Sequence, residues 1–420
     1  MDLLANDYVT IFGSPDPATL CTYSPAICRC PDGRLIATLD LCGKMTGAHG
    51  EADGETFQQG KVFTSDDGGS TWQHRADHPF IEARVFVAGD HVYALGNYGG
   101  EGRGDMAIMR SDDRGETWTE PVILWEGLRW HLTPCNTVYA NGCVYFAVEK
   151  RCCEDVSGWA ISILSPILMR ADIGHDLLDE KNWALSSDLV FRDHVDMADI
   201  DYTGIPFFPF DPTGPKWIHE WKCVMVPPGW LETNVVQFRD PDHCWHDPTG
   251  HTFHLWMRAP TARTNFAAIA KVVENDDGSM TTMLETAPSG KKLVYLPSPG
   301  GHLKFFIEYD EASALYWMAA NQSTDSMVRL DRVPDDRHGG PDNERHRLAL
   351  YFSRNCVDWC FAGLVARGNN EKQSRHYPSM AIDGDNLVIL SRSGDERARS
   401  AHDGNIITCH VVRDFRNLTY

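Results

Sequence analysis

The octapeptide Ser65-Asp66-Asp67-Gly68-Gly69-Ser70-Thr71-Trp72 recurs as Ser111-Asp112-Asp113-Arg114-Gly115-Glu116-Thr117-Trp118. The shared pattern is S-x-D-x-G-x-T-W. An alternating apolar run precedes each copy, Lys61-Val62-Phe63 and Ala107-Ile108-Met109. The Asp can accept backbone N–H bonds across a tight turn, the Gly permits positive φ, and the Trp packs between strands. Such a turn joins the two outer strands of a β-unit, so a chain that carries it twice is built from repeated β-units. Asp67 and Asp113 are read as structural.

The repeat extends along the whole chain. Six segments share an apolar strand, a turn and a second apolar strand: Pro25 to Leu41, Arg84 to Gly96, Pro134 to Val148, Glu232 to Met257, His302 to Ala319, and Tyr377 to Leu390. Most of their turns carry hairpin chemistry, such as Pro31-Asp32-Gly33 and Ala140-Asn141-Gly142. A second strand pair follows each segment. A degenerate third copy of the turn is Ser353-Arg354-Asn355-Cys356-Val357-Asp358-Trp359. The last unit stops one strand short, at Tyr420. Tyr8-Val9-Thr10-Ile11-Phe12 can supply that strand and close the ring, which removes exposed edges. The expectation is an all-β, six-bladed propeller filling residues 1–420 as one domain, at roughly 70 residues a blade. Insertions are expected near 193–230 and 332–347, the first as a pocket wall or lid.

The formal net charge of -21 argues against nucleic acid or an anionic membrane as partner. It leaves room for an anionic sugar, because a pocket can hold local Arg. No apolar run reaches the roughly 18 residues of a membrane span. The thirteen Cys have no zinc-like spacing. The start Met1-Asp2-Leu3-Leu4 lacks a signal-peptide pattern. A cytoplasmic protein with free thiols is expected, or an exported one if a signal peptide was trimmed. Oligomeric state is not legible.

The turn motif is the Asp box of the sialidase-like β-propellers, and the chain resembles that superfamily. In such a propeller the starts of the innermost strands and the ends of the second strands open on one face around the axis. That face is expected to collect Tyr23, Arg84, His131, Glu232, His302 and Tyr377, with Asp40, Asp53, Glu149, Arg258, Arg345, Arg347 and Arg392 from second strands and loops. Arg forks match a carboxylate. A Glu beside a Tyr can take up the phenol proton and make the Tyr a nucleophile. The cluster Asp240 to Asp247, with His251 and His254, looks metal-binding but falls mostly on the opposite face. The stretch Asp193, His194, Asp196, Asp199 and Asp201 reads as a solvated acidic loop. No metal or cofactor is expected.

The resemblance assigns roles. Leu231-Glu232-Thr233-Asn234 looks like the sialidase strand whose Glu activates the nucleophile, and His376-Tyr377-Pro378-Ser379 like the strand bearing the nucleophilic Tyr. Met257-Arg258 looks like the Arg that grips the substrate carboxylate, and Arg345 or Arg347 lies where the third such Arg belongs. Asp53, with Glu51 and Glu55 as neighbours, falls in the loop of the general acid. One departure stands out. Sialidases carry Arg-Ile-Pro on the first strand; here it is Tyr23-Ser24-Pro25, which argues against ordinary sialic acid. The resulting expectation is an exo-acting glycoside hydrolase on an acidic or unusual terminal sugar. The alternatives are a uronate-specific polysaccharide lyase using His131, His302 and Tyr377, and a carbohydrate-binding propeller without catalysis.

Overall fold

A computed structural model describes residues 2–43, 58–99, 104–156, 159–196, 227–261, 265–324 and 344–420, the backbone of 216–218 and 223–225, and residues 328 and 332. Among these, strands dominate and the one α-helix is the four-residue Phe191–His194.

The strands form antiparallel sheets in chain order. The first sheet holds Cys21–Arg29, Leu35–Cys42, Gln58–Ser65 and Gln73–His78. The second has eight strands and contains two successive repeats. One is Ile81–Ala88, His91–Tyr98, Gly104–Ser111 and Val122–His131. The other is Val138–Ala140, Cys143–Arg151, Leu164–Asp172 and Trp183–Leu185. They join where His131 pairs Glu149 and Trp130 pairs Lys150. The third sheet is built on Leu231–Val236, Thr252–Arg258, Phe266–Glu274 and Met280–Met283, with Tyr295–Pro297 alongside. The fourth holds Phe306–Asp310, Leu315–Asn321, Arg347–Ser353 and Cys360–Arg367. The fifth holds Arg375–Asp383, Asn386–Ser393 and Ile406–Val412, and its last position is filled by Val9–Gly13 from the N-terminus. The expected Tyr8 to Phe12 strand therefore pairs as anticipated, displaced by one residue.

Consecutive units bury their faces against one another. Ile36 and Val62 of the first sheet pack on Val85 and Ala94 of the second. Within the second sheet, Phe86 and Leu95 meet Phe146 and Val148. Tyr145 and Leu168 then pack on Phe253 and Leu255, Trp256 and Ile269 on Ile307 and Met318, and Trp317 and Leu350 on Ile389 and Leu387. The last interface sets Val388 and Leu390 against Ala37 and Leu39 of the first sheet. The near-continuous burial along these strands requires this, since both faces of each sheet are apolar and each needs a neighbour.

The two octapeptide turns share one set of hydrogen bonds. Asp67 accepts from Thr71 N–H (2.8 Å) and Thr71 Oγ1 (2.7 Å), and Asp113 accepts from Thr117 N–H (2.8 Å) and Thr117 Oγ1 (2.6 Å). Trp72 and Trp118 each donate the indole N–H to the carbonyl of the motif Gly. In the degenerate copy Asn355 stands in for the Asp, accepting from the N–H groups of Val357 and Asp358. The carboxylates are consumed by the turn, which agrees with their structural reading.

Polar side chains stitch neighbouring first strands together at a constant offset. Asn136 accepts the N–H of Val235 (2.7 Å), Asn234 that of Ile307 (3.0 Å), and Ser379 that of Ile27 (3.3 Å). Two residues before each acceptor stand Pro134, Glu232 and Tyr377. Three residues before each donor stand Glu232, Lys304 and Ser24. The stitching therefore puts Ser24, Pro134, Glu232, Lys304 and Tyr377 at one structural level.

Candidate active site

Four first strands carry a one-step register shift near their starts: between Tyr23 and Ala26, Ile81 and Arg84, Leu231 and Asn234, and His376 and Ser379. Inside each shift one residue other than Gly takes positive φ: Ser24 (40°), Glu82 (54°), Glu232 (57°) and Tyr377 (50°). The left-handed region costs such residues about 1–2 kcal/mol. Strain of this kind persists where the surroundings over-determine it, and it clusters at functional sites. A bulge re-aims a side chain. Here the bulge at Glu232 and the bulge at Tyr377, two units apart, bring their side chains together.

The Tyr377 hydroxyl donates to Glu232 Oε1 at 2.7 Å. Arg258 Nη1 lies 3.1 Å from Glu232 Oε1, 3.2 Å from Oε2 and 3.3 Å from the Tyr377 oxygen. Its Nε donates to the His302 carbonyl (2.9 Å), and its guanidinium stacks on Trp159. The three side chains are buried. Burial, and next the Glu232 charge, push the Tyr377 phenol up from its ordinary value, while Arg258, Arg392 and Arg345 pull it down. The phenol is thus held protonated at rest, with a carboxylate in place to receive its proton.

Two more guanidiniums flank Tyr377. Arg392, 1% exposed, lies between two aromatic rings, 3.6 Å from the Tyr23 centroid and 4.7 Å from that of Tyr377. Its Nε donates to the His402 carbonyl at 3.0 Å. Arg345 Nη1 donates to His376 Nδ1 at 3.1 Å, which leaves the His376 proton on Nε2. Burial first, then Arg392 and Arg345, hold His376 neutral. Burial lowers Arg345 to about 10, so it stays cationic at neutral pH. Among the described residues neither Arg345 nor Arg392 makes an ion pair.

The other described sequence candidates bond mainly to other groups, although Tyr23 reaches the site through Arg392 and His302 through Arg258. The Tyr23 hydroxyl donates to Asp403 (2.9 Å), which also meets His402. Arg84 is committed to the backbone: its Nη1 donates to the Ala147 carbonyl and its Nη2 to the Thr133 carbonyl, both at 3.1 Å, and it stacks on Phe146. His131 pairs with Glu149 at 2.9 Å, and Glu149 in turn accepts from Thr233 N–H (3.0 Å) and Oγ1 (2.6 Å). This anchors the residue after Glu232. His302 gives its carbonyl to Arg258, and its ring faces Ser323. Arg347 pairs with Glu344, which also accepts from Thr324. Asp53, Glu51 and Glu55 lie outside the described residues, as do Asp199, Asp201 and most of the two insertions. In the Asp240 to Asp247 loop, His243 stacks on Phe238 and Asp247 caps its own turn through Thr249 and Thr252. Among the described residues no group of side chains has the arrangement of a metal site.

Sequence reasoning missed three residues at the level of the central pair: Ser24, Glu82 and Lys304. Lys304 is buried, donates to the Pro378 carbonyl, and burial lowers its ammonium to about 8. The prolines Pro25 and Pro378, each directly after a bulge residue, carried a signal for Ser24.

No protein-family model matches the chain, and no curated protein matches it by sequence. Three solved structures are similar along nearly its whole length. One is a protein of unknown function from Dyadobacter fermentans (TM-score 0.53, 12% identity, 97% of this chain and 98% of that one). Another is the GH93 α-L-arabinofuranosidase of Fusarium graminearum in complex with arabinobiose (TM-score 0.51, 11% identity, 98% of each chain). The third is the NanB sialidase of Streptococcus pneumoniae (TM-score 0.52, 10% identity, 97% of this chain and 71% of that one). The likeness is one of architecture: the chain has the all-β, sialidase-like propeller fold.

Proposed function

We propose that the chain is a six-bladed propeller closed by Val9–Gly13, and that it is an exo-acting glycoside hydrolase on an acidic or otherwise unusual terminal sugar. The carrying observation is the 2.7 Å bond from Tyr377 to Glu232, made across two strained bulges and braced by Arg258. A phenol whose pKa is raised needs a base at the moment of attack, and Glu232 is placed to be that base. Tyr377 attacks the anomeric carbon while Glu232 accepts the phenol proton. Water then displaces the tyrosyl group with Glu232 returning the proton, so the anomeric configuration is retained. A further group must protonate the leaving oxygen; Asp53 is the candidate that the sialidase resemblance offers.

Charge supports an acidic substrate. Arg258 is neutralised by Glu232, but Arg345 and Arg392 are buried cations without an ion-pair partner among the described residues. Burying such a charge is costly, and a ligand carboxylate beside them would offset that cost. Tyr23, standing where sialidases have an Arg, supports a sugar other than ordinary sialic acid. The test is a panel of aryl glycosides of hexuronic, ulosonic and neutral sugars, reading released aglycone and the ultraviolet absorbance of any unsaturated uronate. Aglycone release with retention supports the hydrolase. An unsaturated product would make the protein a lyase, and sugar binding without turnover would make it a lectin-like module.

A further inference from the structure

We propose that Glu82 is the acid–base residue of this site, the carboxyl that protonates the leaving oxygen and later takes a proton from water; the proposal rests on the hydrolase reading above. Glu82 occupies, on its own first strand, the bulge position that Glu232 and Tyr377 occupy on theirs. The register shift between Ile81 and Arg84 matches those around the other two, and its φ of 54° lies between theirs of 57° and 50°. Glycine would take this backbone without strain. Instead the chain places a carboxylate there, as it does at Glu232.

The support beneath the two glutamates is also parallel. The N–H of Glu82 is held by Asp40 Oδ2 at 2.6 Å, and the N–H of Thr233, next to Glu232, by Glu149 Oε1 at 3.0 Å. Asp40 and Glu149 are both buried, at 0% and 1%, and each lies on the second strand of the preceding unit. Two fully buried acids are thus spent on fixing two carboxylate-bearing bulges. Each glutamate also accepts from a bulge hydroxyl: Tyr377 to Glu232 at 2.7 Å, Ser24 to Glu82 at 3.3 Å. Ser24, the donor to Glu82, stands level with Tyr377 because Ser379 accepts the Ile27 N–H, and this ties Glu82 to the neighbourhood of the central pair. Glu82 is as exposed as Tyr377, 8% in each case.

The Tyr377 oxygen bonds to the anomeric carbon and its proton passes to Glu232. The glycosidic C–O bond breaks, and the leaving oxygen takes the proton of the Glu82 carboxyl. Water then bonds to the anomeric carbon and gives a proton to the Glu82 carboxylate. The C–O bond to Tyr377 breaks and the phenol recovers its proton from Glu232. The net change is hydrolysis, with every group returned to its starting state.

An acid is needed most where the leaving group is poor. The test therefore takes one sugar that the native protein hydrolyses and compares its methyl and 2,4-dinitrophenyl glycosides with Glu82→Gln. The expected loss in kcat/KM is ~10²- to 10⁴-fold on the methyl glycoside and under about tenfold on the dinitrophenyl glycoside, which needs little protonation. Azide added to Glu82→Ala is expected to restore turnover of the dinitrophenyl glycoside and yield the glycosyl azide. If Glu82→Gln does not fold, Glu82→Asp carries the same comparison. Equal losses on both glycosides, or no loss on the methyl glycoside, would overturn the role. So would finding the leaving-group-dependent loss in Asp53→Asn instead. A native protein that turns over neither glycoside of any sugar would overturn the hydrolase reading itself, which is a separate outcome.

Discussion

Tyr377→Phe and Glu232→Gln are expected to part company in stability while agreeing in activity. Glu232 accepts one bond from Tyr377 at 2.7 Å and two from Arg258 at 3.1 and 3.2 Å. Removing the phenol leaves the carboxylate still paired with Arg258. The cost is that of one hydrogen bond to a charged group, ~1–3 kcal/mol. Replacing Glu232 by Gln keeps an acceptor but deletes the carboxylate charge paired with Arg258, which is 5% exposed. Arg258, Arg345 and Arg392 would then stand around Tyr377 with the Glu232 charge removed. Breaking a buried pair by removing one partner costs ~3–5 kcal/mol, so Glu232→Gln should be the less stable variant by a few kcal/mol. In rate, each should lose ~10²-fold or more, and the double variant should lose little beyond either single one, because proton donor and acceptor act as a unit. Denaturant unfolding of the variants gives the first comparison, and turnover of an activated glycoside the second. Turnover by Tyr377→Phe within a few-fold of native would refute the nucleophile. A Glu232→Gln protein more stable than native would refute the reading that the pocket carries excess positive charge.

Other expectations follow from the same geometry. Asn234→Ala removes the acceptor for the Ile307 N–H and the donor to the Phe305 carbonyl, both buried, and should cost ~2–4 kcal/mol in denaturant unfolding. Burial opposes the Asp247 charge, but the bonds from Thr249, Thr252 and His251 prevail and lower its pKa to about 2. Because the folded value is depressed, this stability is fully present above about pH 4 and is lost as pH falls toward 2, amounting to ~1–2 kcal/mol after allowance for partial exposure. Asp247→Asn should flatten that limb of the stability–pH curve. The twelve described cysteines are all in thiol form, so titration of the denatured protein without reductant should find most of the thirteen reactive. Mainly disulfide-bonded protein would contradict this.

Periodicity made the architecture legible. The S-x-D-x-G-x-T-W turns fix their own hydrogen bonds locally, so Asp67 and Asp113 could be read from their neighbours in sequence. The terminal strand was legible because a unit one strand short leaves an edge that must be covered. The site was legible where resemblance supplied a strand pattern, at Glu232, Arg258, Tyr377 and Arg345, and at Arg392 from its place at a second-strand end. Elsewhere the bulges defeated it. Side chains alternate along a strand, so one extra residue moves every later one to the opposite face. Tyr23 and Arg84 were expected at the level of the pair, but the shifts put Ser24 and Glu82 there and turn Arg84 to backbone carbonyls. For His302 the strand begins later than its apolar pattern suggests, at Phe306, and Lys304 takes the equivalent position. Arg392 was legible as a pocket-face residue, but its place between two Tyr rings depends on a cross-strand pairing with His376 that the sequence does not display.

The central claim is that Tyr377 carries the sugar during turnover. It can be tested by quenching the native protein in acid while it hydrolyses an activated glycoside, then mapping its peptides by mass spectrometry. The mass of one glycosyl unit on the peptide containing Tyr377, absent in Tyr377→Phe, is the expected result. Turnover with no adduct on that peptide, and a product of inverted anomeric configuration, would contradict it.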